Sequence, residues 1–467
     1  MTTRNSTPKV STQKVQSAEP NESNGKTDKA ADKPRSSNLK STSPKAETAV
    51  KSQPKRSVRA KKPAVPSPVD IPISVEAKNN THIFYEHFNL DYAKSLAKFV
   101  LEPLNKFYFR ATFVGFDDEE YPERNNPAFP LIFASNHSGM AFPWDAVVFA
   151  SGLLDLHNYD IQKATRAFVT PYLSKINLMN PFLIPNFWKK AGAIDATMLN
   201  FETMMHYGES NLLIYPEGVQ GIGKGFNHKY EIQRLSTSAL RMSIKYRTDI
   251  IPFATVNAEY INPYSYSIKE IDNLVKKLGI PFLPIGPMLP SVLLQPWMFY
   301  FALPAKLTFV RGRRIRPYEM IDKPYEDITQ EDLYKIRDEI HTEMQARLDE
   351  AVQKYGQKPY DWEEFFTLAL MNWKQSAYFA PFAWPFIFHE HEKFYKEYHE
   401  AGKVFEQALA ERKEYDDANF KDALQKIWQV FTNNPQVLPF YVPVAGLIYM
   451  VIRGLETPPA PQVPEAK

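Results

Sequence analysis

The chain has 467 residues, 44% of them hydrophobic, so a large core is within reach, and 56 basic against 53 acidic residues leave a net charge of only +3. So weak a field argues against nucleic acid as the main partner, and the absence of cysteine excludes disulfides, thiolate nucleophiles and cysteine-bound metal centres. No run reaches the roughly 20 apolar residues of a spanning helix and no signal-peptide stretch is present, so a soluble or interfacial protein is expected.

Residues 1–75 are rich in Ser, Lys, Pro, Thr and Ala and include the basic run Lys55, Arg56, Arg59, Lys61, Lys62. With almost no large apolar side chains such a segment cannot repay its ordering entropy, and it is expected to be a disordered tail, either a solvated linker or one drawn to anionic headgroups. Order is expected from about residue 80. There Tyr92, Leu96, Phe99, Val100, Leu104 and Phe107 recur at helical spacing with Lys94, Lys98 and Lys106 on the other side, and Pro103 bends the helix. The pattern suits a helix in a bilayer interface and equally one packed on a core.

From about 110 to 260 short apolar runs alternate with amphipathic stretches: 130–134, 145–154, 211–215, 232–244 and 250–256. That rhythm predicts an α/β fold, a central mixed sheet flanked by helices. Residues 279–305 hold no charge but are broken by Pro281, Pro284, Pro287, Pro290, Pro296 and Pro304, as an acyl pocket or interface-dipping loop would be. Thr329 and Asp332 form a capping box ahead of Leu333, Ile336, Ile340, Met344 and Leu348, so a helix closes the domain, 80–355, near Tyr355. Beyond it, 356–467 reads as an aromatic helical extension ending in the apolar run 437–452, which is buried or shallowly membrane-anchored. His389, Glu390, His391, Glu392 and His399 resemble metal ligands, but Lys393 stands where H-E-x-x-H needs its second His, so no metal is expected.

Two clusters carry chemistry. The strand 131–134 runs into Ser135, Asn136, His137, Ser138 and Gly139, placing His137 at a strand's carboxyl end, where open α/β sheets bind ligands. Asp145 follows in the first turn of a helix opening near Pro143, where a carboxylate is favoured by the helix dipole whatever its other role. A second strand, 212–215, leads into Pro216, Glu217, Gly218, Val219, Gln220, Gly221, Ile222, Gly223, Lys224 and Gly225, then Lys229 and Arg234. Four glycines and three cations so close suggest a phosphate cradle. Gly218 to Lys224 satisfies G-x4-G-K, yet Gly225 follows where a nucleotide loop needs Ser or Thr for magnesium, which leaves a kinase as a weaker alternative.

Taken in order, these blocks resemble the glycerolipid acyltransferase family, which includes 1-acylglycerol-3-phosphate acyltransferases. Asn136, His137 and Asp145 are similar to its first block, Gly192 to Thr197 to its second, Tyr215 to Gln220 to its third, and Ile250 to Phe253 to its fourth. The family spaces its His and Asp five residues apart; here the interval is eight, and Thr197 and Gln220 stand where phosphate-binding arginines belong.

The resemblance implies an acyl group moving from acyl-CoA or acyl carrier protein, a co-substrate rather than a bound cofactor, to a hydroxyl of a lysophospholipid or related glycerolipid. His137 would be the general base and Asp145 would hold its tautomer. Glu217, Gly218, Gln220, Lys224, Lys229, Arg234 and Thr197 are the expected acceptor-binding residues, with Gly139 an oxyanion donor. The same resemblance implies a protein held at the cytoplasmic face of a membrane, peripheral or monotopic, its partners being the lipid, the thioester and the membrane surface. Ser138 lacks the G-x-S-x-G elbow of a nucleophile. A non-catalytic lipid-binding protein of the same fold is the principal alternative.

Overall fold

The computed structural model describes residues 71–137, 142–268, 270, 271, 273, 285–412, 428–430 and 432–455. The expected tail therefore lies outside the described residues as far as residue 70. Regular structure starts with a short helix, Val75–Asn79, capped by the Ser74 hydroxyl, which accepts from Ala77 N–H at 3.1 Å.

Seven strands form one sheet: β1 (Thr112–Val114), β2 (Ile132–Ser135), β3 (Thr165–Val169), β4 (Ile194–Asp195), β5 (Asn211–Ile214), β6 (Ile250–Val256) and β7 (Thr308–Arg311). Their spatial order is β1-β7-β6-β2-β5-β3-β4. β6, β2, β5, β3 and β4 are mutually parallel, whereas β7 runs antiparallel to β6 and pairs in parallel with β1, so the sheet is mixed. β2 lies at the centre with the chain leaving it toward β3 and β4, returning through β5, and crossing to β6 on its other side. The carboxyl end of β2 is thus a switch point, where a doubly flanked sheet opens a crevice.

The strands bury both faces because their residues alternate between two cores. Phe133, Leu213, Ile251 and Phe253 enter one, with Phe149, Trp144 and Phe309; Ile132, Leu212, Ile250 and Ala254 enter the other, with Leu240, Ile336 and Leu348. The first core is covered by α1 (Leu90–Leu96) and its continuation to Tyr108, and by α2 (Trp144–Leu156). The second is covered by α3 (Ser238–Tyr246) and α4 (Gln330–Tyr355). The capping box forms as the sequence predicts: Thr329 Oγ1 accepts from Asp332 N–H at 3.2 Å, and the Asp332 carboxylate from Thr329 N–H at 2.9 Å.

Tyr92, Leu96, Val100 and Leu104 are buried in the first core, so α1 and its continuation pack on the protein. Around Pro103, which has no N–H to donate, the backbone widens into π-type turns at Ala97–Leu101 and Leu104–Tyr108. The C-terminal region shares this core. Trp384, at the start of α5 (Trp384–Glu400), sits 4.9 Å from the Tyr108 ring and 5.0 Å from Trp144. Val437, Phe440 and Met450 join the same cluster, the last from α6 (Ala445–Leu455).

No helix among the described residues is long and apolar enough to cross a membrane. Of the charge-free, proline-broken stretch, 285–305 is described; it forms the helix Met288–Leu294 and the turn Pro296–Tyr300, while 279–284 lie outside the described residues.

Candidate active site

β2 ends by locking onto β6. Asn136 Nδ2 donates to Thr255 O at 3.0 Å and its Oδ1 accepts from Thr255 N–H at 2.8 Å, while Ser135 Oγ donates to Phe253 O at 2.9 Å. These bonds fix the backbone one residue before His137 and leave that side chain projecting beyond the sheet. The loop from Ser138 to Ala141, which contains the expected oxyanion donor Gly139, lies outside the described residues. α2 then begins at Trp144, after Pro143, and brings Asp145 back on its first turn.

His137 Nδ1–H donates to Asp145 Oδ2 at 2.8 Å, with the carboxylate wholly buried and the imidazole side chain 12% exposed. A carboxylate only accepts, so this bond places the proton on Nδ1 and turns Nε2 outward as the basic nitrogen. The other Asp145 oxygen accepts from Ala146 N–H at 2.9 Å, which sets the carboxylate plane. Beneath the ring lies Tyr215, its centroid 4.3 Å away and tilted by 21°, a stacking partner that restricts rotation of the imidazole.

Glu217 stands in the wall of the cavity described below, with both carboxylate oxygens engaged by backbone donors. Its Oε1 accepts from His137 N–H and its Oε2 from Gln233 N–H, both at 2.6 Å, so it braces the loop after β5 against the end of β2. Burial is the largest influence on its carboxyl and pushes its pKa up, offset in part by Lys224 and the two backbone donors. The brace demands close approach. A Cβ on Gly221 would lie 2.6 Å from Glu217 Cβ and 2.8 Å from His137 Cβ, so glycine is required there. Gly218, at φ 59° and ψ −141°, adopts a backbone that only glycine takes without strain, and its N–H donates to Tyr215 O at 2.9 Å.

The expected cations part company. Lys224 turns inward, buried, with Nζ 3.1 Å from Glu259 Oε1 and donating to Glu231 O at 3.1 Å. A charge in so dry a place needs a permanent partner, and Glu259 supplies it; Lys224 is therefore a structural cation and not a phosphate ligand, which also removes the lysine a nucleotide loop would need. Lys229 is exposed, its ammonium 5.0 Å from the Phe226 ring, and does not line the cavity described below. Arg234 does line it, with its guanidinium 5.4 Å from the Tyr334 ring. Thr197 caps the short helix Met198–Met204, accepting from Asn200 N–H at 3.1 Å, and lines the cavity together with Gln220, which is exposed.

That cavity holds about 1250 Å3. His137, Glu217, Gly218 and Arg234 stand in its wall; the rest is largely apolar, with Ala97 and Leu101 from the helix continuing α1, Ala146, Val147, Ala150 and Leu154 from α2, and Ala167 from β3. It exceeds the roughly 300–1,000 Å3 of most small-molecule pockets. Three further wall residues carry no motif: Tyr334 and Arg337 on α4, and Arg166 on β3, whose buried guanidinium is pulled down to about 10 by desolvation and stacks 4.2 Å from Phe88. An arginine inside an otherwise apolar strand is the signal that could have singled out Arg166.

The residues of the metal-like cluster diverge. His389 Nε2 meets Phe182 O at 3.0 Å, His391 Nε2 meets Ser95 Oγ at 2.8 Å, Glu390 accepts from Asn434 at 2.9 Å and Glu392 pairs with Lys190 at 2.7 Å. Among the described residues no group of three or more His, Cys, Asp or Glu is arranged to hold a metal ion.

No family model matches the chain. Uncharacterized proteins of Mycobacterium tuberculosis and Mycobacterium bovis are each 24% identical over 197 residues, 41% of this chain and 50% of theirs. One of Mycobacterium leprae is 24% identical over 208 residues, 44% and 51% respectively. The match thus spans about half the length of these relatives. Among solved structures, the 1-acyl-sn-glycerophosphate acyltransferase PlsC of Thermotoga maritima aligns at 12% identity with a TM-score of 0.29, over 58% of this chain and 87% of its own.

Proposed function

We propose that this protein transfers a fatty acyl group from a thioester, acyl-CoA or acyl carrier protein, to a hydroxyl of a lysophospholipid or related glycerolipid, working at a membrane surface. The observation that carries the reading is the His137–Asp145 pair, 2.8 Å apart, set in the wall of a large apolar cavity at the carboxyl end of β2. The acceptor oxygen attacks the thioester carbonyl while its proton passes to His137 Nε2. The tetrahedral intermediate collapses by breaking the carbon–sulfur bond, and the imidazolium returns the proton to the departing thiolate, so that no acyl-enzyme forms. Asp145 stabilises the imidazolium between the two transfers, and Tyr215 keeps the ring in plane. The apolar cavity supplies room for an acyl chain, and Arg234 supplies a cation for an anionic head.

The test is thiol release and labelled-lipid formation from a long-chain acyl thioester and a panel of lysophospholipids. Wild-type protein turns over; His137→Ala falls by roughly two to four decades, as loss of a general base requires, and Asp145→Asn falls with it. Undiminished transfer by His137→Ala ends the mechanism, and lipid binding without thioester consumption by the wild type identifies a carrier instead.

A further inference from the structure

The C-terminal helix α6 carries an apolar face turned to solvent. Ile448 and Ile452 on it are each more than half exposed, as are Val444 one residue before it, Leu438 in the turn Pro435–Tyr441 and Leu294 at the end of Met288–Leu294. From Pro435 to Ile452 the chain has no charged residue. Monomeric proteins scatter such side chains singly; a row of them on one helix, with Met450 on the opposite side buried in the core, marks a surface that meets something apolar.

What it meets is indicated by what lies beside it. α6 packs on the turn at Asn177–Met179, where Gly454 closes on Leu178, and on Pro296–Tyr300, where Gly446 closes on Pro296. Met179 and Phe299 from these same segments form part of the cavity wall, as does Val292 on the helix Met288–Leu294. At the cavity's rim Tyr172, Met198 and Val219 are themselves exposed apolar side chains. The exposed face of α6 therefore adjoins the elements that bound the cavity, and the cavity's own mouth is greasy.

We propose that α6, with Leu438 and Leu294, is the face by which the protein seats on a lipid bilayer, with the cavity mouth facing the same lipid so that an acyl chain enters without crossing water. The seating is shallow. α6 has 11 residues, about 16 Å at 1.5 Å per residue, half of a bilayer core. An apolar helix face of this kind inserts among the headgroups without spanning the bilayer. The inference rests on the acyl-transfer reading only for what enters the cavity.

The test is co-sedimentation of the full chain with vesicles of phosphatidylcholine containing phosphatidylglycerol, comparing wild type with Ile448→Asp/Ile452→Asp. Both side chains are more than half exposed, so the variant folds, and an unchanged melting curve verifies it. Two charges on the inserted face are expected to lower vesicle partition by at least about tenfold, whereas Val75→Asp, an exposed apolar residue on the helix Val75–Asn79, leaves it unchanged. Turnover of a water-soluble short-chain thioester and acceptor by the double variant should match wild type, while turnover of vesicle-borne acceptor falls. Undiminished partition overturns the proposal, as does a wild-type dimer that the double variant converts to monomer without any change in partition, since a second copy would then cover the face. Vesicle binding by wild type with no turnover of any substrate overturns the acyl-transfer reading and leaves the docking face standing.

Discussion

Gly221→Ala separates local propensity from the geometry of the site. Gly221 lies in the short helix Val219–Ile222, where alanine is ordinarily favoured by ~1 kcal/mol. The added methyl would stand 2.6 Å from Glu217 Cβ, 2.8 Å from His137 Cβ and 3.0 Å from Glu217 Cδ. Ordinary carbon contacts begin at about 3.5 Å, so the neighbours must retreat by roughly 0.7–0.9 Å. Two of the three contacted atoms are Cβ atoms, which no rotamer change can move, and the displacement falls on the backbone of β2's end and of the loop after β5. Overpacking of this size costs about 1–3 kcal/mol, which propensity offsets only in part. A shift approaching 1 Å in a reacting group costs on the order of a hundredfold in rate. The variant is therefore expected to lose up to about 2 kcal/mol of stability and about two decades of thiol release. Gly208→Ala, a position with open space around it, changes neither. Thermal melting and initial rates of acyl transfer check both, and wild-type turnover in Gly221→Ala would refute the placement of His137 against this loop.

Lys224→Met leaves Glu259 buried beside an apolar group, and is expected to cost about 3–5 kcal/mol in chemical denaturation because both side chains are almost fully enclosed. Lys229→Ala, at an exposed position, should change nothing; a raised KM for phosphorylated acceptor in Lys224→Met with unchanged stability would instead return Lys224 to the substrate site. Burial raises the Glu217 pKa above its ordinary 4.5, so its contribution to stability is fully present below that value and is lost as pH climbs through the higher folded value. Glu217→Gln, which does not titrate and sets an amide N–H against a backbone donor, should melt below wild type at pH near 4.5. Melts taken across this range should show the gap narrowing as pH rises; a widening gap would mean that the two backbone donors outweigh desolvation.

How far the sequence discloses this structure depends on how local each determinant is. β2, β5 and β6 are legible as unbroken apolar runs because parallel strands are buried on both faces, and α4 because its cap and its heptad-like apolar positions are contiguous in the chain. β1, β3, β4 and β7 leave weaker traces. They stand toward the sheet's edges, β1 and β4 have only three and two residues, and β3 carries Arg166 where an apolar residue would mark a strand. The extension beyond 356 looks separable in sequence, since nothing local reveals that Trp384 will close on Tyr108 and Trp144.

The site divides along the same line. Motif order brings His137, Asp145 and Glu217 to notice, and the interval of eight residues is bridged because Asp145 arrives on the first turn of α2 rather than from an extension of β2. Roles are less legible than positions. Glu217 and Lys224 carry the charges a head-group site would want, yet each is consumed by a partner that its own neighbourhood does not announce: the backbone N–H groups of His137 and Gln233 for one, and Glu259 for the other. A loop rich in glycine lets the chain fold back on itself as readily as it lets a ligand approach, and here the tight contact of Gly221 with Glu217 and His137 spends that freedom on bracing the imidazole. Two arginines on other elements, Arg234 after the loop and Arg337 on α4, flank the Tyr334 ring at 5.4 and 4.5 Å in the wall of the same cavity, Arg337 also pairing with Asp338 at 2.6 Å.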